Sequence, residues 1–329
     1  MSPAGGVRGG RPTDAEGRGP RQDEAIVEAA WCYYHEGLTQ NEIAQRLGVS
    51  RASVVNYLAE ARRRDYVRVS LDTEVFRGSS LARRLCAAYD LREALVVPQG
   101  DPERAAARVI RAAADWLPEL LEPGDRLGVA WGETIYRLAD AAPPVPIRDL
   151  TVVQLLGSRP AAPGFAAEAC SANLARRFDA LCVNLHVPLL LSDRELCARL
   201  KAEPVVAEQL RAVESCNKVV FAAGTCSDDS HIAHTGLMDA DTLAGMRDAG
   251  AVGVICGRLI DAQGRPMPLE NEDRIIGVTL AQMAAKPVGI LVAAGAARTE
   301  ATRAALIGGF ATHVVTSSDI AERLLDDPA

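Results

Sequence analysis

Bulky apolar residues are almost missing from positions 1–22, which are rich in Gly, Pro and Arg. Such a segment buries too little surface to offset its ordering entropy, and a disordered tail is expected there. From Asp23 the pattern changes. Ile26, Ala29, Ala30, Tyr33 and Tyr34 recur at helical spacing and stop at Gly37. Two more short helical patterns follow, and positions 66–71 alternate like a short strand. Beyond about residue 75, strand-like runs at 94–97, 126–130, 150–156, 180–187, 218–222, 251–255, 288–293 and 312–316 read as buried strands. Helical patterns separate them at 103–116, 135–141, 166–178, 240–249 and 300–307. This alternation predicts an α/β domain with a doubly wound, mostly parallel sheet. The expected organisation is a tail at 1–22, a helical domain at 23–70 and an α/β domain at 75–329. Ligands of such sheets bind beyond the carboxyl ends of the strands.

Residues 38–58 carry the densest local signals. Thr39 with Glu42 makes a capping box at a helix start. Ile43 and Leu47 share one face of that helix, and Ala44 leaves room for a second helix to cross closely. Gly48 supplies the turn, Val49 plugs the angle, and Ser50 caps the next helix. There Val54, Leu58 and Ala61 face inward, which leaves Arg51, Ala52, Ser53 and Asn56 pointing outward. This is the spacing of a helix-turn-helix, whose second helix enters the major groove of double-stranded DNA. Arg51 suits guanine, Asn56 suits adenine, and Ser50 or Ser53 suits phosphate or base. Arg62 and Arg63, with Arg64 and Arg68, would supply the salt-dependent backbone attraction. The expected DNA-contacting set is Thr39, Ser50, Arg51, Ala52, Ser53, Asn56, Arg62 and Arg63. An ordinary helical hairpin with a solvated basic face is the competing reading.

Charge has to be read by segment. The chain's net charge of -7 argues against nucleic acid, yet residues 39–70 hold six Arg against Glu42, Glu60 and Asp65. The acidity belongs to the remainder. An aromatic content of 4% favours duplex DNA read by a helix over single strands held by stacked rings. Eight cysteines without a C-x-x-C pair read as reduced core thiols. No run approaches the roughly 20 apolar residues of a membrane helix, and no signal-peptide core opens the chain. A cytoplasmic protein with no membrane partner is expected. Cys226, His231 and His234 would need a fourth partner or a catalytic water to hold zinc; neither metal nor cofactor is expected. Lys218, one of three lysines, opens a strand and is expected at a solvated end.

The phrase Gly124-Asp-Arg-Leu-Gly-Val-Ala-Trp-Gly-Glu-Thr-Ile-Tyr-Arg-Leu-Ala139 reads as strand, Gly turn and helix start. Free backbone N–H groups and the Thr134 hydroxyl there suit an anion such as phosphate. Glu133 opposes this unless it points away or binds a sugar hydroxyl. The helix-turn-helix, Trp131-Gly132-x-Thr134, Val153-Gln-Leu-Leu-Gly157, Phe221-Ala-Ala-Gly-Thr-Cys-Ser227, Gly250-Ala-Val-Gly-Val-Ile-Cys-Gly-Arg258 and Val292-Ala-Ala-Gly-x-x-Arg298 follow one another in order. Together they resemble the SorC family of sugar-binding transcriptional regulators over roughly residues 23–326. The resemblance implies an effector domain similar to the sugar-phosphate isomerase fold, a phosphorylated sugar as effector, and a homo-oligomer, dimer or tetramer.

Carried over, it places Trp131, Gly132, Glu133 and Thr134 at the effector's phosphate. Gln154, Gly157 and Ser158 would approach from the next strand end, and Gly224 and Thr225 from a later one. Arg298 stands where the family usually has Lys, and its guanidinium can also pair with phosphate. Val254 stands where the family has Asp, and Gly157-Ser158 and Ala294-Gly295 replace Gly-Gly pairs. Losing that carboxylate points to a less hydroxylated ligand. The implied function is a DNA-binding regulator of a carbohydrate operon, with no catalytic residues. The alternative is a sugar-phosphate isomerase-like enzyme with Glu133, Asp228 or Asp229 as its acid, for which a DNA-reading helix has no use. A purely structural module would leave the basic helix unexplained.

Overall fold

A computed structural model describes residues 20–64, 66–67, 69, 72–159, 166–228, 230–234 and 237–326. Most of the expected tail, and the positions of Arg68 and Asp229, lie outside the described residues. The chain divides into two compact units, Met1–Ser70 and Leu71–Ala329.

The first unit is three helices: α1 (Pro20–Tyr34), α2 (Gln40–Leu47) and α3 (Arg51–Arg63). Helix α1 begins three residues inside the expected tail. Ile26, Ala29, Ala30 and Cys32 of α1 close on Ile43 of α2 and on Val54, Leu58 and Ala61 of α3. Burying each larger aliphatic side chain stabilises the unit by roughly 1.5–3 kcal/mol. Tyr33, which shares the helical spacing, is 39% exposed. The alternating stretch at 66–71 forms no strand at its described positions, where Tyr66 and Val69 are about half exposed. Alternation makes a strand only where a neighbour supplies the ladder.

The second unit runs α4 (Thr73–Arg77), α5 (Ser80–Tyr89), β1 (Glu93–Val97), α6 (Pro102–Trp116), β2 (Arg126–Val129), α7 (Glu133–Ala141), β3 (Thr151–Gln154), α8 (Ala167–Phe178) and β4 (Leu181–Val183). It continues with α9 (Arg194–Ala202), α10 (Pro204–Glu214), β5 (Lys218–Phe221), α11 (His231–His234), α12 (Ala240–Asp248), β6 (Ala251–Ile255) and β7 (Arg258–Asp261). Last come α13 (Leu280–Ala284), β8 (Val288–Ala293), α14 (Thr299–Ile307), β9 (His313–Ser317) and α15 (Ser318–Asp326). Seven strands form one sheet in the order β1-β9-β8-β5-β2-β3-β4, and every pair in it is parallel. Alternate residues of each strand feed two cores. Leu95, Leu127, Val129, Val220 and Val292 face α6, α7 and α8, while Val96, Val153, Val219, Phe221 and Leu291 face α5, α12, α14 and α15. Burial on both faces explains why the strands read as continuous apolar runs.

Two expectations change here. The run 251–255 forms a strand, but as half of an antiparallel hairpin with β7 rather than in the main sheet. Of the run 180–187 only Leu181, Cys182 and Val183 are strand, and they form the sheet edge, with Leu181 74% exposed. Nothing among the described residues pairs with the outer side of β4, so an apolar run there is not a buried one. Cys182 is exposed for the same reason and Cys86 is half-buried, while the other six cysteines are buried.

Lys218 is also not a solvated end. Its Nζ lies 2.7 Å from Asp125 Oδ2 and donates to Leu120 O at 2.7 Å, with both charged side chains buried. Asp125 also accepts from Asn217 Nδ2 and from the Glu122 N–H, each at 2.7 Å. This cluster ties the starts of the neighbouring strands β2 and β5. Burial pushes the Asp125 carboxyl up, but its bonds from Lys218, Glu122 and Asn217 outweigh that and hold it below its ordinary value.

Replacing Lys218 with Met leaves the Asp125 carboxylate buried without its cation, and we expect a loss of about 3–5 kcal/mol at neutral pH. Urea denaturation measures it, and an unchanged midpoint would refute it. The wild-type contribution of Asp125 is present above the free carboxyl value of about 3.9 and fades as pH falls through the lower folded value. The gap between wild type and variant therefore narrows in acid.

Candidate functional site

Two sites emerge, one in each unit. In the first, Thr39 Oγ1 accepts the Glu42 N–H at 3.4 Å, and the Glu42 carboxylate takes the Thr39 N–H and hydroxyl at 2.7 Å each. Glu42 sits below its ordinary pKa because of these bonds from Thr39. Gly48 adopts φ 64° and sends its N–H to the Ala44 and Gln45 carbonyls, ending α2. Ser50 Oγ accepts the Ser53 N–H at 3.0 Å and lies 2.9 Å from Ser53 Oγ. The hydroxyls of Thr39, Ser50 and Ser53 thus serve the helix ends first.

Arg51, Ala52 and Asn56 are exposed on the first turns of α3. Arg51 Nε donates to Gln40 Oε1 at 3.3 Å, and among the described residues no carboxylate pairs with it. The arginines at the far end of α3 are less available. Arg63 makes two bonds to Glu60, at 2.8 and 2.5 Å, and Arg64 pairs with Glu60 at 2.7 Å and Asp23 at 2.6 Å. These partners pull the Glu60 carboxyl down to about 2. Arg62 Nε donates to Leu58 O at 3.3 Å. Arg63 and Arg64, expected to attract the DNA backbone, are therefore partly neutralised, and Arg51 stands out.

The second site is a cavity of 730 Å³ at the carboxyl ends of β2, β5 and β8, three neighbours at the centre of the sheet. Strands β2, β3 and β4 run in chain order toward one edge, and β5, β8 and β9 toward the other. The cavity lies where the order reverses, the place where crossover helices diverge and leave a crevice. Trp131, Gly132, Glu133, Thr134, Gly224, Thr225 and Arg298 all line it. Gly132 caps α7 at φ 113°, a conformation that side chains disfavour, and an added Cβ would meet nothing within 4 Å. Its constraint is backbone strain rather than collision. Arg298, partly buried, reaches from the end of β8 and donates to Thr134 Oγ1 at 2.6 Å and to Ala294 O at 3.3 Å. Burial draws the guanidinium below its usual pKa, opposed by the charge of Glu133. Glu133 pairs with Arg137 at 2.5 Å, and among the described residues no carboxylate pairs with Arg298.

Gln154, Gly157 and Ser158 do not line this cavity. Gln154 is fully buried. It donates to Leu156 O at 2.6 Å and accepts the Leu185 N–H at 3.3 Å. A Cβ on Gly157 would come within 2.7 Å of Pro188 O and 2.8 Å of Leu189 Cα, so this glycine permits two backbones to touch. The Ser158 N–H donates to Val187 O at 2.7 Å. They join the end of β3 to the 185–189 segment. The spacing of their motif carries no sign of which way the side chains turn.

Sequence reasoning missed Ser227, Ile232, Leu237, Cys256 and Gly257 as lining residues. A signal existed for the last two. Cys256 and Gly257, at φ 50° and 73°, form the two-residue turn between β6 and β7, and x-Gly between alternating runs is a hairpin mark. Val254, noted as a departure from the family pattern, lines the cavity beside Gly224, with which its strand makes a bridge.

Comparison with known proteins gives the family and the fold. The Sugar-bind family model ("Putative sugar-binding domain") matches residues 73–326, and a MarR family model matches residues 30–74. The transcriptional regulator YjhU of Escherichia coli (strain K12) is 34% identical, covering 92% of this chain and 94% of its own. The deoxyribonucleoside regulator of Bacillus subtilis (strain 168) is 28% identical over 93% of this chain and 98% of its own. Among solved structures, the full-length sorbitol operon regulator SorC of Klebsiella pneumoniae superposes with a TM-score of 0.73 at 21% identity, covering 92% of this chain and 98% of that one. A DeoR family transcriptional regulator from Listeria monocytogenes gives 0.69 at 25% identity, over 74% and 97%. With the sugar-binding model spanning most of its length and a regulator 34% identical across nearly all of it, the chain belongs to the SorC family of sugar-binding transcriptional regulators.

Proposed function

We propose that α3 reads operator DNA through Arg51 and Asn56, and that a phosphorylated sugar in the strand-end cavity controls that binding. The observation that carries the effector half is Arg298. A guanidinium drawn into a cavity and, among the described residues, paired with no carboxylate, bonded to Thr134 at the start of α7, is held ready for an anion. The oriented α7 N–H groups add to the same field. Val254, Ile232 and Leu237 give the cavity an apolar wall, which suits a ligand with few hydroxyls on that side. Binding rather than catalysis is supported by relatives that are themselves named regulators, and by Glu133, whose carboxylate is engaged by Arg137 instead of standing free as a base.

Control works by linkage. An effector that prefers one arrangement of a homo-oligomer shifts the spacing of its reader helices and so the affinity for DNA. Paired readers require half-sites about 34 Å apart or a multiple of it. Among the described residues no helix is long and apolar enough to cross a membrane, and a cytoplasmic location fits a DNA-binding role.

Replacing both Thr134 with Val and Arg298 with Met is expected to abolish the thermal stabilisation given by sugar phosphates while leaving DNA affinity in place. A retained shift would remove these residues from the site. Gly132→Ala is expected to cost about 1–3 kcal/mol through backbone strain and to weaken the same thermal response; an unaltered melting curve and response would contradict that. Arg51→Ala or Asn56→Ala is expected to relax sequence preference in a selection from randomised duplexes, and unchanged preference would exclude them as readers.

A further inference from the structure

Beside the reader helix lies a hollow of 720 Å³ lined by Tyr33, Gly37, Leu38, Thr39, Gln40, Asn41 and Arg51. Its chemistry is one-sided. Arg51 is the ionised group in its lining, and Tyr33, Gln40 and Asn41 bring neutral donors. Among the described residues the Tyr33 hydroxyl, the Asn41 amide and Gln40 Nε2 make no hydrogen bond. Thr39 is not available in the same way, since its N–H and hydroxyl are both taken by Glu42. That ionised Glu42 carboxylate already occupies the amino end of α2, so an anion entering the hollow must be held by side chains and not by the helix start.

Gln40 stands at the junction. Its Oε1 accepts Arg51 Nε at 3.3 Å. This bond leaves both terminal nitrogens of the guanidinium free for an end-on, two-pronged contact to guanine. It also opposes the main competitor for a flexible arginine beside DNA, which is collapse onto the nearest phosphate. The remaining amide end of Gln40 can only donate, and a phosphate oxygen can only accept.

We propose that the hollow seats one backbone phosphate of the DNA, held by Tyr33, Gln40 and Asn41, and that Gln40 at the same time is the positioning residue that holds Arg51 for base reading. Phosphate contact and base contact are then coupled through one amide: the register set on the backbone fixes the aim of the guanidinium. This inference rests on Arg51 acting as a base reader.

The test uses the full chain and a pool of randomised duplexes, followed by titration of the selected duplex at several salt concentrations. Gln40→Ala should lower discrimination at the base pair read by Arg51 by about fivefold or more. It should also weaken binding at every salt concentration without changing the salt slope, because a neutral donor releases no counterion. Tyr33→Phe and Asn41→Ala should weaken binding uniformly across sequences and leave discrimination intact. Gln40→Glu keeps the acceptor for Arg51 but sets a carboxylate against the phosphate, so discrimination should survive while affinity falls. Circular dichroism of each variant confirms that the helices remain. Wild-type discrimination in Gln40→Ala overturns the proposal, as does a Gln40→Glu variant that loses discrimination as fully as Gln40→Ala. If Arg51→Ala abolishes the preference and Gln40→Ala does not touch it, the inference alone fails. If Arg51→Ala leaves the preference unchanged, the base-reading assignment fails with it.

Discussion

Every strand of the main sheet points the same way, and most of the rest of the effector unit follows from that. Parallel neighbours cannot be joined by a hairpin, so each return passes through a crossover, usually a helix, and helices accumulate on both faces. All carboxyl ends collect on one side. Where the strand order reverses, between β2 and β5, the crossover segments part and leave a space that no regular element fills. Trp131 to Thr134, Gly224, Thr225 and Arg298 face one another because the three central strands end there, although Thr134 and Arg298 are 164 positions apart in sequence. The opposite ends of β2 and β5 are fastened by Asp125 and Lys218. The buried ion pair and the cavity thus occupy opposite ends of the same strands.

In the reader unit the relevant physics is local. A capping box, a left-handed glycine and a second cap fix where two helices stop and start, within a span of about twelve residues. The side chains that face outward are then decided by helical periodicity alone. Electrostatics adds a selection among them: arginines near Glu60 and Asp23 are neutralised, whereas Arg51 meets a neutral amide. A count of positive residues treats these groups as equal, and the structure does not.

Legibility in the sequence follows the range of the interactions. The helix-turn-helix core of Ile43, Val54, Leu58 and Ala61 was readable because a few residues determine each contact. The parallel sheet was readable as a class because burial on both faces leaves unbroken apolar runs. Pairing partners were not. Residues 251–255 have the composition of any other strand here, and only the two-residue turn to β7 sends them into a separate hairpin. Lys218 looked solvated because charged strand ends usually are, and its partner Asp125 lies far earlier in the chain. Trp131 to Thr134, Gly224, Thr225 and Arg298, named from motifs at strand ends, line the cavity. Gln154, Gly157 and Ser158 do not line it, since motif spacing does not encode side-chain direction. Leu237 and Ile232 carry no local mark at all.

The bare edge at β4 bears on how the protein behaves when concentrated. A strand edge that nothing among the described residues pairs with, and on which Leu181 is exposed, is a template on which other chains can align. Here the template is only three residues long, which offers too few ladder bonds to capture a foreign strand firmly. The neighbouring Cys182, though exposed, donates its thiol hydrogen to Asn184 Oδ1 at 3.3 Å, which favours the thiol over the thiolate that oxidative cross-linking requires. Shortness and a quiet thiol together make this margin of the sheet a poor seed for aggregation.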